Sequence, residues 1–243
     1  MAFENASELK RVFQDMIQVY GENVTIYSQD PWLLAIDNFA SPQDCQALRE
    51  CGDASGWQRS QDVVAGGGTQ AKLHQGRTSS TAWCKKETLS LQSILDRLVR
   101  LTQVPLDNLE WIQVLRYQPG EYYHLHHDVV QQRKLQMGPR VLTVLLYLDS
   151  TGGATHFQHL ENTTIQPLQG RAVVWSNVRY DAGEFQPDER MQHQALPSDS
   201  IKYAANVWVH PRSFRVCKAW QQQDQQKEEL HEKDDGQLEY AME

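Results

Sequence analysis

The densest chemistry in the chain lies in Tyr122-Tyr123-His124-Leu125-His126-His127-Asp128. On an extended strand successive side chains alternate faces, so residues 124, 126 and 128 share one face and residue 127 takes the other. A His-x-Asp pair on such a strand sets an imidazole beside a carboxylate. Two histidines and one carboxylate on one face of an octahedron leave the opposite positions open. That arrangement suits iron(II) centres that bind a co-substrate and oxygen together. His126 and Asp128 need a third ligand, and His193, next to a predicted strand late in the chain, is the best candidate. His124 shares the face of His126 and stands as an alternative ligand or a partner of one. His74, His156, His159, His210 and His231 lack comparable surroundings and read as structural or exposed.

Past His193, Lys202 opens the apolar run Lys202-Tyr203-Ala204-Ala205-Asn206-Val207-Trp208-Val209. A cation deep in a barrel needs an anionic partner, and a dicarboxylic co-substrate supplies one. Taken singly, each residue has an ordinary explanation. A bare His-x-Asp arises by chance, and a lone lysine is common on a solvated edge strand. Their order in a β-rich setting is what carries weight.

The elements that must position these residues are legible in outline. Leu9, Val12, Phe13, Met16, Ile17 and Tyr20 recur at helical spacing over residues 5–19. Residues 31–39 form a strand-length apolar run. Ser41-Pro42-Gln43-Asp44 is a helix start, with the helix expected to stop at Gly52. Residues 53–82 are polar and glycine-rich and read as a long loop. Leu91, Ile94, Leu95, Leu98 and Leu101 share one helical face over residues 88–103. From Leu109 onward the runs 112–117, 122–129, 141–148, 154–157, 172–176 and 202–210 read as short strands between turn residues. This pattern predicts a sandwich or barrel with the helices packed outside it. The division expected is an N-terminal helical segment over 1–30, a catalytic domain over 31–217 with core motifs in 109–212, and a polar acidic tail over 218–243 without fixed structure.

The 243 residues carry a formal net charge of -8 and a pI of about 5.6, against nucleic-acid backbone binding as the main role. No run is apolar enough to span a bilayer, and residues 1–21 lack a secretory pattern, so the chain as given reads as soluble. Placement in the secretory pathway requires a leader outside this sequence; otherwise the cytoplasm is expected. Cys45, Cys51, Cys84 and Cys217 form no CxxC pair and are expected as free thiols in packed positions.

From about Trp32 to Pro211 the sequence resembles the prolyl 4-hydroxylases, of the collagen type or the plant and algal type, among the 2-oxoglutarate- and iron(II)-dependent dioxygenases. The resemblance rests on Arg77-Thr78-Ser79-Ser80, on Arg116-Tyr117-Gln118-Pro119-Gly120 leading to Tyr123 and His126-His127-Asp128, and on residues 140–148. It continues through Gly152-Gly153-Ala154-Thr155-His156-Phe157, residues 170–175, His193 with Lys202, and Asn206-Val207-Trp208-Val209-His210. The resemblance implies a mainly β fold, a double-stranded β-helix or jelly-roll core with N-terminal helices packed on one sheet. It implies iron ligation by His126, Asp128 and His193, and Lys202 on the distal carboxylate of 2-oxoglutarate. Tyr147 falls where its hydroxyl helps Lys202, Tyr117 near the metal and co-substrate, and Thr143 in the same pocket. It further implies oxygen as oxidant, ascorbate as a supporting reductant and a proline-containing peptide as substrate, with Arg77, Trp83, Tyr123 and Trp175 as candidate peptide contacts. Core packing is the alternative for Trp83 and Trp175, and for Trp175 it is slightly the plainer expectation. Residues 61–76 and 178–190 are expected as lids over the peptide groove. Two departures from the family pattern are Ala154, where an acid is usual, and the long charged segment Asn177 to Arg190. The alternatives are an oxygenase of the same superfamily with another substrate, a non-catalytic jelly-roll peptide-binding module, and a scaffold acting through the tail. The oligomeric state is left open.

Overall fold

A computed structural model of the chain describes residues 3–60, 76–129 and 137–213. Helix α1 (Ala6–Tyr20) is capped by Asn5, whose side chain accepts from the Ser7 and Glu8 N–H groups. It buries Leu9, Val12, Phe13 and Met16, and each such side chain contributes roughly 1.5–3 kcal/mol of transfer free energy. Strands β1 (Val24–Gln29) and β2 (Trp32–Ile36) follow as an antiparallel pair. Helix α2 (Pro42–Ser55) begins in a capping box made by Ser41 and Asp44. It passes through Gly52, where a stop was expected, and ends at Gly56 with φ of 80°. Gly52 serves close packing instead: a Cβ there would sit 2.9 Å from the Trp57 ring.

The remaining elements are β3 (Gln58–Arg59), β4 (Ser80–Cys84), α3 (Gln92–Thr102), β5 (Ile112–Tyr117), β6 (Tyr123–His126), β7 (Leu142–Tyr147), β8 (Thr155–Phe157), β9 (Thr163–Ile165), β10 (Ala172–Ser176), β11 (Val178–Asp181), β12 (Glu184–Pro187), β13 (His193–Ala195) and β14 (Lys202–Val209). The large sheet runs β1-β2-β10-β7-β14-β5-β4-β3, the small one β6-β13-β8-β9, and β11-β12 form a separate hairpin. Among the described residues every strand pairing is antiparallel.

Strand alternation divides the interior into two cores. On β7, Leu142, Val144 and Leu146 face the helices and join the core with Phe13, Leu48 and Leu98. Leu145 and Tyr147 face the other way and join Leu33, Phe157, Trp175 and Ala204 between the sheets. β7 is buried along its whole length because both of its faces are covered. The result is the jelly roll expected, with helices on the outer face of the large sheet. β1 precedes residue 30 and pairs with β2 beyond it, so the N-terminal segment is built into that sheet. Among the described residues, no helix is long and apolar enough to cross a membrane.

The expectation of free thiols fails for Cys51 and Cys84, which form a disulfide; Cys45 is free and buried. The cause is tertiary: the last turn of α2 packs over the end of β4, leaving the two Cα atoms 6.0 Å apart. Most of the expected lid 61–76, the Cys217 thiol and the expected tail lie outside the described residues.

Candidate active site

Antiparallel pairing of β6 with β13 sets His126 opposite His193, the ring centroids 4.3 Å apart. Asp128 lies just past the end of β6, its carboxylate 3.8 Å from the His126 Nε2 and 3.9 Å from the His193 Nε2. The ligand atoms of all three residues lie within 4.8 Å of one another. The Nδ1 of His126 is 2.8 Å from the His124 carbonyl, and the Nδ1 of His193 is 3.0 Å from the Met191 carbonyl. A proton on each Nδ1 donates to those carbonyls and leaves both Nε2 lone pairs aimed at the shared centre. Burial holds both imidazoles below the usual histidine range, with the neighbouring His193 adding to the effect on His126. Burial acts to raise Asp128, but the charges of His193, His126 and Arg140 and the Thr143 hydroxyl outweigh it and hold the carboxyl at about 2. Two neutral nitrogens and one anionic oxygen, converging from one side, fit iron(II) with positions left open.

His124 lies outside the cluster of ligand atoms that His126, Asp128 and His193 form. Its side chain is exposed and lies tilted against the Tyr122 ring at 4.5 Å, while its carbonyl orients His126. β6 stops at His126, so the alternation that joins residues 124, 126 and 128 does not extend across all of them.

Lys202 opens β14 on the inner face, only 2% exposed. Its ammonium lies 5.4 Å from the Tyr117 ring centre and 5.2 Å from that of Tyr147. Among the described residues no carboxylate closes an ion pair with it, and burial pulls its pKa down to about 7 against the through-space pull of Asp149. Gly152 and Gly153 make this placement possible. A Cβ on Gly152 would meet the Lys202 Cβ at 2.3 Å, and one on Gly153 the Leu196 carbonyl oxygen at 1.6 Å. A cavity lined by Tyr117, Thr155, His126, His193, Lys202 and Asn206 joins the lysine to the histidines.

Two residues expected in that cavity take other places. The Thr143 hydroxyl donates to Asp128 Oδ2 at 2.7 Å and accepts from the Asn177 amide at 2.8 Å, so it orients the carboxylate from behind. The Tyr147 hydroxyl is engaged by Thr155, both its N–H and its hydroxyl, and by the Ile165 carbonyl, so its ring rather than its hydroxyl faces Lys202. Tyr117 lines the cavity as expected.

The candidate peptide contacts separate in the same way. Trp175 is 1% exposed and packs edge-on against His193 at 4.7 Å, which makes it a support for that ring. Arg77 is 6% exposed, donates to Ser79 and Gln113, and stacks over Tyr123 at 4.5 Å; Tyr123 in turn stacks on His126. Trp83 is 40% exposed and faces the cavity side of the sheet edge, 6.2 Å from Trp208. Trp208 itself was missed, along with the cluster around it. Arg140 stacks on Trp208 at 3.6 Å and pairs with both oxygens of Glu110, which also contacts His210 at 2.8 Å. Parity on β14 contained the signal: positions 202, 204, 206 and 208 share one face.

Comparison with known proteins agrees with this geometry. The family model of the 2OG-Fe(II) oxygenase superfamily matches residues 112–210. A protein of Acanthamoeba polyphaga mimivirus, named as a prolyl 4-hydroxylase, is 31% identical over 189 residues, 74% of this chain and 74% of that protein. Prolyl 4-hydroxylase 1 of Arabidopsis thaliana is 26% identical over 223 residues, 82% of this chain and 76% of the relative. The viral collagen prolyl hydroxylase of Paramecium bursaria Chlorella virus-1, solved as a 2OG complex, shares the fold. Its TM-score is 0.56 at 23% identity, covering 78% of this chain and 97% of that one. A prolyl hydroxylase of Trichoplax adhaerens, solved with a hypoxia inducible factor peptide fragment, gives 0.56 at 17% identity, covering 86% and 94%. The chain belongs to the prolyl 4-hydroxylase family of the 2-oxoglutarate- and iron(II)-dependent dioxygenases, with iron(II) and 2-oxoglutarate as its cofactor and co-substrate.

Proposed function

We propose that this chain hydroxylates proline in a peptide or protein, with iron(II) held by His126, Asp128 and His193 and the distal carboxylate of 2-oxoglutarate held by Lys202. The observation that carries the reading is Lys202, a buried ammonium without a carboxylate ion pair among the described residues, sharing one cavity with both histidines. A buried cation is stable when an anion completes it, and a dicarboxylate long enough to reach from lysine to metal does so. Bound iron(II), 2-oxoglutarate and oxygen supply the oxidation: one oxygen atom enters a proline C–H bond, the other goes to succinate, and carbon dioxide leaves.

The protein's part is placement. Backbone carbonyls fix both imidazole tautomers, and Thr143 fixes the carboxylate. The Tyr117 and Tyr147 rings flank the Lys202 ammonium at 5.4 and 5.2 Å and hold it at its end of the cavity. Trp83, exposed at the sheet edge beside Trp208, offers an aromatic surface to an extended proline-containing chain. Arg77 and Tyr123 stand at the same mouth, stacked against His126.

The test is incubation of the full chain with iron(II), 2-oxoglutarate, ascorbate, oxygen and proline-rich peptides, followed by mass spectrometry. One added oxygen on proline for each succinate formed is expected. Succinate release that never modifies a proline-containing peptide would sink the substrate assignment.

A further inference from the structure

We propose that Arg77 is a positioning residue for the iron site: it clamps the Tyr123 ring against His126 and so fixes the plane of that ligand and its place relative to Lys202. The inference rests on the iron and co-substrate assignment above and deepens it without calling on the peptide. Its starting point is an irregularity in β6. His193 and Ala195 stand two residues apart on β13, yet their partners on β6, His126 and Tyr123, stand three apart. The extra residue is a β-bulge, and it turns Tyr123 onto the face of His126, where strict alternation would separate them. Both side chains line the cavity. Their rings lie nearly parallel, with centroids 3.5 Å apart and 17° between planes. The contact of Nδ1 with the His124 carbonyl holds one atom of the His126 ring. A single contact of that kind lets a ring pivot about it, and a flat ring laid against the imidazole face removes the pivot.

Tyr123 needs an anchor of its own, and Arg77 is placed to be one. A β-bridge sets Arg77 opposite Tyr123. On either side of it the His124 N–H donates to the Gly76 carbonyl at 2.8 Å and the Thr78 N–H to the Tyr122 carbonyl at 3.0 Å. The Tyr122 N–H donates in turn to the Thr78 hydroxyl at 2.8 Å. Residues 76–78 thus extend the small sheet beyond β6. The Arg77 guanidinium lies 4.5 Å from the centre of the Tyr123 ring, and the side chain is only 6% exposed. A desolvated cation holds an aromatic face more firmly than an exposed one. Burial also requires that its donors be used, and Arg77 donates to the Ser79 hydroxyl at 3.0 Å and to Gln113 Oε1 at 3.5 Å. The same Gln113 oxygen accepts from the Asn206 amide at 3.3 Å. Asn206 lies on β14, shares the face of Lys202 and lines the same cavity. From Ser80 the chain enters β4 and pairs with β5 in the large sheet. The path His126–Tyr123–Arg77–Gln113–Asn206 therefore runs from an iron ligand on the small sheet to the strand that carries Lys202 on the large one. A dicarboxylate bridging metal and lysine requires those two ends at a fixed separation, and Arg77 is the link that crosses between the sheets.

The experiment uses the full chain without peptide. Iron(II) affinity comes from anaerobic equilibrium dialysis, and the geometry of the ligands from the visible absorption of cobalt(II) bound at saturation. Arg77→Leu is expected to weaken iron(II) about tenfold and to shift the cobalt(II) spectrum. Tyr123→Leu is expected to do the same, and Tyr123→Phe, which keeps the ring, to match wild type. Because both residues act along one path, Arg77→Leu with Tyr123→Leu is expected to lose no more than either alone. Wild-type affinity and spectrum in Arg77→Leu would overturn the proposal. So would weakened affinity with an unshifted spectrum at saturation, which would make Arg77 a mere support of the fold, and so would losses that add in the double variant. Should Arg77→Leu fail to fold, Arg77→Lys takes its place: it keeps a cation but not the fork that joins Ser79 to Gln113, and the same spectral shift is expected. Metal binding in the predicted order by a chain that never modifies proline would sink the substrate assignment and leave this inference standing. Wild-type metal binding by Arg77→Leu, in a chain that does hydroxylate proline, would do the reverse.

Discussion

Replacing Lys202 with methionine removes a buried charge while keeping most of the side-chain volume. Lys202 is 2% exposed, and its pKa falls from 10.5 to about 7 because burial disfavours the ammonium. For a cation so depressed, the folded state binds the proton less tightly than the unfolded chain. The cost to stability is full below about pH 7 and fades as pH rises toward 10.5, where both states are neutral. At about 1.4 kcal/mol per pH unit, the full cost is on the order of 5 kcal/mol. The co-substrate-free Lys202→Met protein is therefore expected to be more stable than wild type at pH 6, with the gain shrinking at pH 9. Binding runs the other way. The distal carboxylate pairs with the charged lysine, so 2-oxoglutarate affinity is flat below about pH 7 and falls about tenfold per unit above it. Binding at pH 8 takes up nearly one proton. Losing the partner of a buried carboxylate costs about 3–5 kcal/mol, a weakening of at least roughly a hundredfold at pH 6 for the variant. Anaerobic calorimetry with iron(II), in two buffers of different ionisation enthalpy, reads affinity and proton uptake together. Affinity independent of pH from 6 to 9 without proton uptake, or a variant that binds as wild type does, would refute the reasoning.

Other expectations follow from single contacts. Thr143→Val removes the hydroxyl that holds Asp128 and is expected to weaken iron(II) about 10- to 100-fold, read by anaerobic equilibrium dialysis; unchanged affinity would make the contact incidental. Burial acts to raise Glu110, but Arg140 and His210 outweigh it and hold the carboxyl at about 2 against a usual 4.5. Its stabilising contribution is present above about pH 4.5 and lost as pH falls toward 2. Glu110→Gln is expected to lower the melting temperature at neutral pH, with the difference from wild type narrowing in acid. The Cys51–Cys84 disulfide closes a separation of 33 residues. Reduction, or Cys51→Ser with Cys84→Ser, is expected to cost about 2–4 kcal/mol in urea unfolding. Two thiols fewer before reduction than after it, in denatured protein, would mark the bond chemically.

Much of the site was legible because strand alternation and short spacing encode it. His126 and Asp128 stand close in sequence, and Lys202 announces itself as a charge in an apolar strand. His193 could be ranked but not placed, because its position depends on the β6–β13 register that sets it opposite His126. The roles of Thr143 and Tyr147 were out of reach for the same reason. Their hydroxyls are claimed by Asp128 and Thr155, partners chosen by how strands stack rather than by neighbours in the chain. The disulfide needed the packing of α2 over β4, and the β11–β12 hairpin hid in a charged segment without strict alternation. Trp208 is different. It shares the face of Lys202 and was available to the same rule that found the lysine.

The most direct test of the account is anaerobic iron(II) binding to the full chain and its single alanine variants, with metal counted per protein. About one equivalent is expected for wild type, His124→Ala and His156→Ala, and a small fraction of that for His126→Ala, Asp128→Ala and His193→Ala. Full iron binding by His193→Ala, or its loss in His124→Ala with the fold intact, would contradict the assignment.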